Sequence, residues 1–99
     1  MKKNLGNAIF DFDRVATQVY LDFFSQFSSA TNVINRNKDE NVFKMQVAKF
    51  AGALKYRLDQ LGKKMVTDVD PKDKDRVESI LLAKIQYYLQ EFDIRCNAL

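Results

Sequence analysis

Three apolar stripes at helical spacing constrain this chain more than any other feature. The first follows Phe12, Ala16, Val19, Tyr20, Phe23, Phe27 and Ala30. The second follows Phe43, Val47, Phe50, Leu54, Leu58 and Leu61, and the third Val77, Leu81, Ile85, Tyr88, Phe92, Cys96 and Leu99. Steps of three and four gather side chains on one face of a helix, whereas a strand gathers every second residue. One proline and three glycines in 99 residues leave little to interrupt these runs. The pattern therefore predicts an all-α chain with helices over about 8–31, 38–61 and 71–97. Similar lengths and short connections favour an antiparallel bundle of three long helices in a single domain, either alone or pooled into a larger bundle by dimerisation. The repeat lies near 3.6, which suits a globular bundle rather than an extended coiled coil.

Local signals place the ends. Asn7 is the expected N-cap of the first helix, and Asn35-Arg36-Asn37 its connection to the second. Asn37 with Glu40 fits a capping box at the start of the second helix. Gly62 is expected as the left-handed residue that ends it, followed by Lys63 and Lys64. Asp70 is the expected N-cap of the third, with Pro71 in its first position and Asp73 in its first turn.

Composition narrows function by exclusion. The chain has no histidine and one cysteine. That removes imidazole acid–base chemistry, Ser–His and Cys–His nucleophile pairs, His-ligated metals and any disulfide framework. Gly6, Gly52 and Gly62 are isolated, so no glycine-rich phosphate loop is present. The stretch Ile9-Phe10-Asp11-Phe12-Asp13 superficially resembles the D-x-D loop of haloacid dehalogenase-like phosphatases over about five residues. Arg14 stands where that family has glycine, the helical stripe continues through the motif, and the chain has no room for the family's parallel sheet. Asp68, Asp70, Asp73 and Asp75 begin like a calcium loop, but Lys72, Asp73 and Ser79 occupy its positions five, six and twelve, so helix capping accounts for them. Cys96 has only Arg95 as an adjacent cation and reads as an inert thiol. No enzyme activity, cofactor, metal or small-molecule substrate is expected.

The longest apolar run, Ile80 to Ala83, is far too short to span a membrane. Two lysines at the N-terminus are followed by Asp11 and Asp13 before an apolar leader can form, which predicts a cytoplasmic protein without a membrane partner.

Each helix carries apolar residues beyond its stripe. The first has Phe10, Leu21 and Phe24, the second Met45, Ala48, Gly52 and Tyr56, and the third Ile80, Tyr87 and Ile94. Two readings fit. Helices in a small bundle touch two neighbours and need wide apolar faces. Alternatively, Phe10, Leu21, Phe24, Met45, Tyr56, Ile80, Tyr87 and Ile94 form a protein interface, with a homodimer the simplest closure. The interface reading makes this a small non-enzymatic regulatory protein that acts by occupying a partner's surface, of the regulator, anti-defence, immunity or chaperone type.

The charge suggests the alternative. The net charge of +3 is concentrated in the middle third, where eight basic residues meet three acidic ones. A nucleic-acid-associated protein would use this segment, with Lys44, Lys55, Lys63 and Lys64 as candidate contacts. The cations are scattered around the predicted helix rather than aligned on one groove-reading face.

Overall fold

The computed structural model describes residues 3–32 and 38–99. It is an all-α bundle of three long helices: α1 (Leu5–Thr31), α2 (Glu40–Thr67) and α3 (Lys74–Asn97). No strand occurs among the described residues. Phe27, near the end of α1, packs edge-on against Phe43 and Phe50 in the first half of α2 and Phe92 late in α3. Asp13, Thr17, Tyr20 and Phe24 meet Lys84, Tyr88, Phe92 and Arg95 in rising order. Thus α1 and α3 run parallel and α2 runs against both, an up-down-up bundle measuring 54 × 18 × 17 Å.

The core is continuous along this length. Phe12, Phe27, Phe92, Leu54 and Leu58 are fully buried, and each belongs to one of the three stripes. Two predicted stripe positions fall outside it: Ala30 and Leu99 are exposed. Thr31 is buried instead of Ala30, and its hydroxyl donates to the Phe27 carbonyl at 2.7 Å. That bond satisfies a polar group that would otherwise be costly to bury.

Four helix ends differ from expectation. α1 begins at Leu5, capped by the Asn4 side chain, which accepts from the Asn7 amide at 2.8 Å. Asn7 is therefore inside the helix. α2 begins at Glu40 rather than Lys38, after Asp39, whose side chain makes no capping bond. Asn35 to Asn37 lie outside the described residues. At its far end α2 runs straight through Gly62 to Thr67, and no glycine has positive φ. The physical reason is burial. Gly62 is covered by the core, with a Cβ placed there lying 3.6 Å from Ile85 Cδ1 and 3.9 Å from Phe12 Cε1. Met65 and Val66 continue the packed face beyond it. Asp70 does cap, but it caps a single 3₁₀ turn over Pro71–Asp73, accepting from the Lys72 amide at 3.1 Å. The α-helical part starts after that turn, at Lys74.

One feature had no signal in the periodicity. Lys3 lies alongside Val69: its amide donates to the Asp68 carbonyl at 2.8 Å, and the Asp70 amide donates back at 3.4 Å. This bridge ties the entry of α1 to the α2–α3 connection. The Lys3 ammonium also reaches Asp11 at 2.6 Å and holds that carboxyl below its ordinary range, mainly through this hydrogen bond.

Candidate functional site

The residues outside the three stripes resolve into two separate surfaces. The first lies between α1 and α3. Ile80, Tyr87 and Tyr88 line a shallow depression of about 600 Å³ together with Asp13 and Thr17. Phe10, Thr17 and Phe24 are seven apart on α1, and Ile80, Tyr87 and Ile94 are seven apart on α3. The two helices run parallel, and the two rows come to one depression at Thr17, Ile80 and Tyr87. Phe24 lies level with Arg95, the neighbour of Ile94, and Leu21 falls on the same side of α1 as Phe10, Thr17 and Phe24. At 1.5 Å per residue the rows span about 21 Å.

Most of this surface faces solvent. Phe10 is 67% exposed and Tyr87 60%, and Leu21 and Ile94 are also exposed. Ile80 and Phe24 are half-buried. Phe24 is shielded by the Arg95 guanidinium, 4.3 Å from its ring centroid, a favourable cation–π distance.

A polar chain stitches the floor of the depression. The Thr17 hydroxyl lies 3.1 Å from Tyr88 Oη, which donates to Asp13 Oδ1 at 3.3 Å. Asp13 Oδ2 also receives the Lys84 ammonium at 2.9 Å. Burial, reinforced by the Asp13 charge, pushes the Tyr88 phenol above its ordinary pKa. The phenol therefore stays protonated and acts as a hydrogen-bonding strut. The opposite charges of Asp13 and Lys84 cancel across the depression.

The second surface is the outer side of α2, across the bundle from the first. Val42, Met45, Lys49, Gly52 and Tyr56 follow one another in steps of three and four. Met45 is 71% exposed and Tyr56 66%, Val42 and Lys49 are exposed, and nothing lies within 4 Å of a Cβ placed on Gly52. Ala48, beside this row, is also exposed.

The candidate nucleic-acid residues belong to the same helix. Lys44, Lys55, Lys63 and Lys64 are all exposed, with Lys44 3.4 Å from Glu40. They do not share one line: Lys63 borders the α2–α3 hollow and Lys64 the α1–α2 side. α2 carries six cations against two carboxylates, a net of +4. α3 balances four against four, and α1 has one cation against three carboxylates.

The eight apolar residues outside the stripes do not form a single patch. Six of them lie along α1 and α3, and Met45 and Tyr56 lie apart on α2. Val42 and Leu82, which are not among the eight, are exposed as well. Val42 was findable, being three residues before Met45 on a heptad row.

Elsewhere the chemistry is quiet. Cys96 is fully buried, and burial pushes its thiol up to about 12. It is held as a protonated thiol rather than as a nucleophilic thiolate. Among the described residues no group of three or more His, Cys, Asp or Glu is placed to hold a metal ion. No described helix is long and apolar enough to cross a membrane. Comparison with family models, curated proteins and solved structures finds no match for this chain.

Proposed function

We propose that this is a small non-enzymatic interaction protein. It pairs with a second copy through the α1–α3 surface and presents α2 to a partner, whose activity it changes by occupying that partner's surface. The observation that carries this reading is the group of exposed apolar side chains on α1 and α3, the two helices that share this depression. Scattered surface apolars need no explanation, but a contiguous row of aromatic and aliphatic side chains does. The α1–α3 surface carries both signs of charge, with Asp13 and Lys84 paired and Arg95 stacked on Phe24, so in a two-fold contact a cation of one copy can meet a carboxylate of the other.

Light scattering on the eluting protein tests the pairing. A dimer that becomes monomeric in both Leu21→Asp and Tyr87→Asp, with helical circular dichroism retained, supports it. A wild-type monomer at about millimolar concentration removes this assignment, since that exceeds the range of stable dimers.

Nucleic-acid association through Lys44, Lys55, Lys63 and Lys64 has the net charge of α2 in its favour. The exposed apolar row on the same helix favours a protein instead. Phosphate contact alone calls for no Met or Val on the surface.

A further inference from the structure

We propose that the outer face of α2 docks an acidic amphipathic helix of another protein, a partner distinct from both a second copy and a nucleic acid. This deepens the reading above by naming the partner's chemistry.

The row Val42, Met45, Lys49, Gly52 and Tyr56 has the three-four spacing of a helix–helix seam, and the fold leaves it uncovered. From Asn41 to Arg57 the helix contains Lys44, Lys49, Lys55 and Arg57 and no carboxylate. Lys49 within the row and Lys55 beside it, with no carboxylate along this stretch, make the face complementary to a helix that carries carboxylates at and beside its own seam.

Lys49 decides against self-pairing. It is the central residue of the five in the row. When two copies of the row meet in register, parallel or antiparallel, Lys49 faces Lys49 at the middle of the contact. A like-charge pair there repels, and a lysine at a seam position selects a partner that supplies a carboxylate. Among the described residues no carboxylate pairs with Lys49. The +4 net charge of α2 adds to the same preference.

The test uses the full-length protein and three fluorescent probes. One is a synthetic helical peptide with a leucine seam flanked by glutamates, one is the same peptide with lysines for glutamates, and one is a twenty-base-pair DNA duplex. Binding is read by anisotropy at moderate salt. The glutamate peptide is expected to bind at least tenfold more tightly than the lysine peptide. Lys49→Glu should reverse that order, and Tyr56→Asp should weaken the glutamate peptide about tenfold. Lys72→Glu makes the same charge change away from the seam and should leave the order intact. Leu21→Asp, on the opposite surface, should leave peptide binding unchanged even if it abolishes the dimer, so failure of the pairing and failure of this proposal are separable. All the variants alter exposed side chains, and thermal melts confirm that each is folded. Equal binding of both peptides, or an equal response to Lys49→Glu and Lys72→Glu, overturns the proposal. So does duplex binding tighter than the glutamate peptide, or a dimer that Tyr56→Asp dissociates.

Discussion

The two uncovered surfaces of this bundle are similar in hydropathy and different in electrical character. Between α1 and α3, the apolar rows sit over a closed polar chain in which Asp13 takes up Lys84 and Tyr88. On α2, the apolar row has a lysine at its centre and no carboxylate between Asn41 and Arg57. Hydropathy alone makes both surfaces sticky. Charge separates them, because a surface that carries both signs can meet its own copy with opposite charges together, whereas a single-sign surface repels its copy. Both rest on one core, and the comparison holds only if that core carries the fold while the surfaces are free to do something else.

The most severe way to break it is to strike the core itself. Phe27 is fully buried and makes edge-on contacts with Phe43, Phe50 and Phe92, joining all three helices at one end of the bundle. Phe27→Ala should cost about 3–5 kcal/mol, from lost transfer energy and the cavity left behind. That is a large share of the stability of a domain this size. Tyr56→Asp and Tyr87→Asp should each change stability by under about 0.5 kcal/mol, as surface substitutions do. Urea unfolding followed by circular dichroism separates the cases. If Tyr87→Asp is as damaging as Phe27→Ala, the α1–α3 rows belong to the core and the division into core and surface fails.

A smaller effect comes from Cys96, the core residue of α3 nearest its C-terminus. Its thiol is pushed up to about 12 from an ordinary 9.0, chiefly by burial. With the folded pKa above the unfolded one, the unfolded chain ionises first as pH rises. Stability from this group is therefore complete below about pH 9 and is lost between pH 9 and 12. The slope approaches about 1.4 kcal/mol per pH unit for one proton. Cys96→Ala should lower stability at pH 7 through the lost packing and flatten the decline from pH 9 to 10.5. A wild-type urea midpoint that stays level across that range would show the thiol to be solvated, and the last turn of α3 to be looser than the core around Phe27.

What the sequence made legible follows the same division. The core was readable because burial imposes a 3.6-residue period, and Phe12, Phe27, Leu54, Leu58 and Phe92 all carried it. The three-helix architecture followed from the same residues. The helix ends were less legible, since they are decided by contacts between distant segments. Gly62 has the local signature of a C-terminus, yet Phe12 and Ile85 pack over it and the helix continues. Asn7 looks as good a cap as Asn4, and the pairing of Lys3 with Val69 belongs to a pair of segments that no single-helix pattern contains. The eight apolar candidates were visible as residues outside the stripes. Their separation into an α1–α3 surface and an α2 surface was not, because it requires knowing that α1 and α3 run parallel with Asp13 level with Lys84.

The smallest effect sharpens the comparison at the α2 surface, where two glycines ten residues apart sit in opposite environments. Both lie in the helix interior with negative φ, so both carry the backbone-entropy cost of glycine, roughly 0.5–1 kcal/mol relative to alanine. A Cβ on Gly52 meets nothing within 4 Å, so Gly52→Ala should recover that amount and raise Tm by several degrees. A Cβ on Gly62 meets Ile85 and Phe12 at 3.6 and 3.9 Å, ordinary contact distances, so Gly62→Ala should gain a similar amount and fill space in the core. The two variants should then part company in binding. Gly62→Ala lies beneath the surface and should leave capture of the glutamate peptide unchanged. Gly52→Ala adds a methyl group to the row itself and should alter that affinity while stabilising the free protein. Stability rising in both variants with affinity changing only at Gly52 would locate the docking surface on the outer row of α2. An affinity change at Gly62 instead would move it to the side of α2 that faces α3.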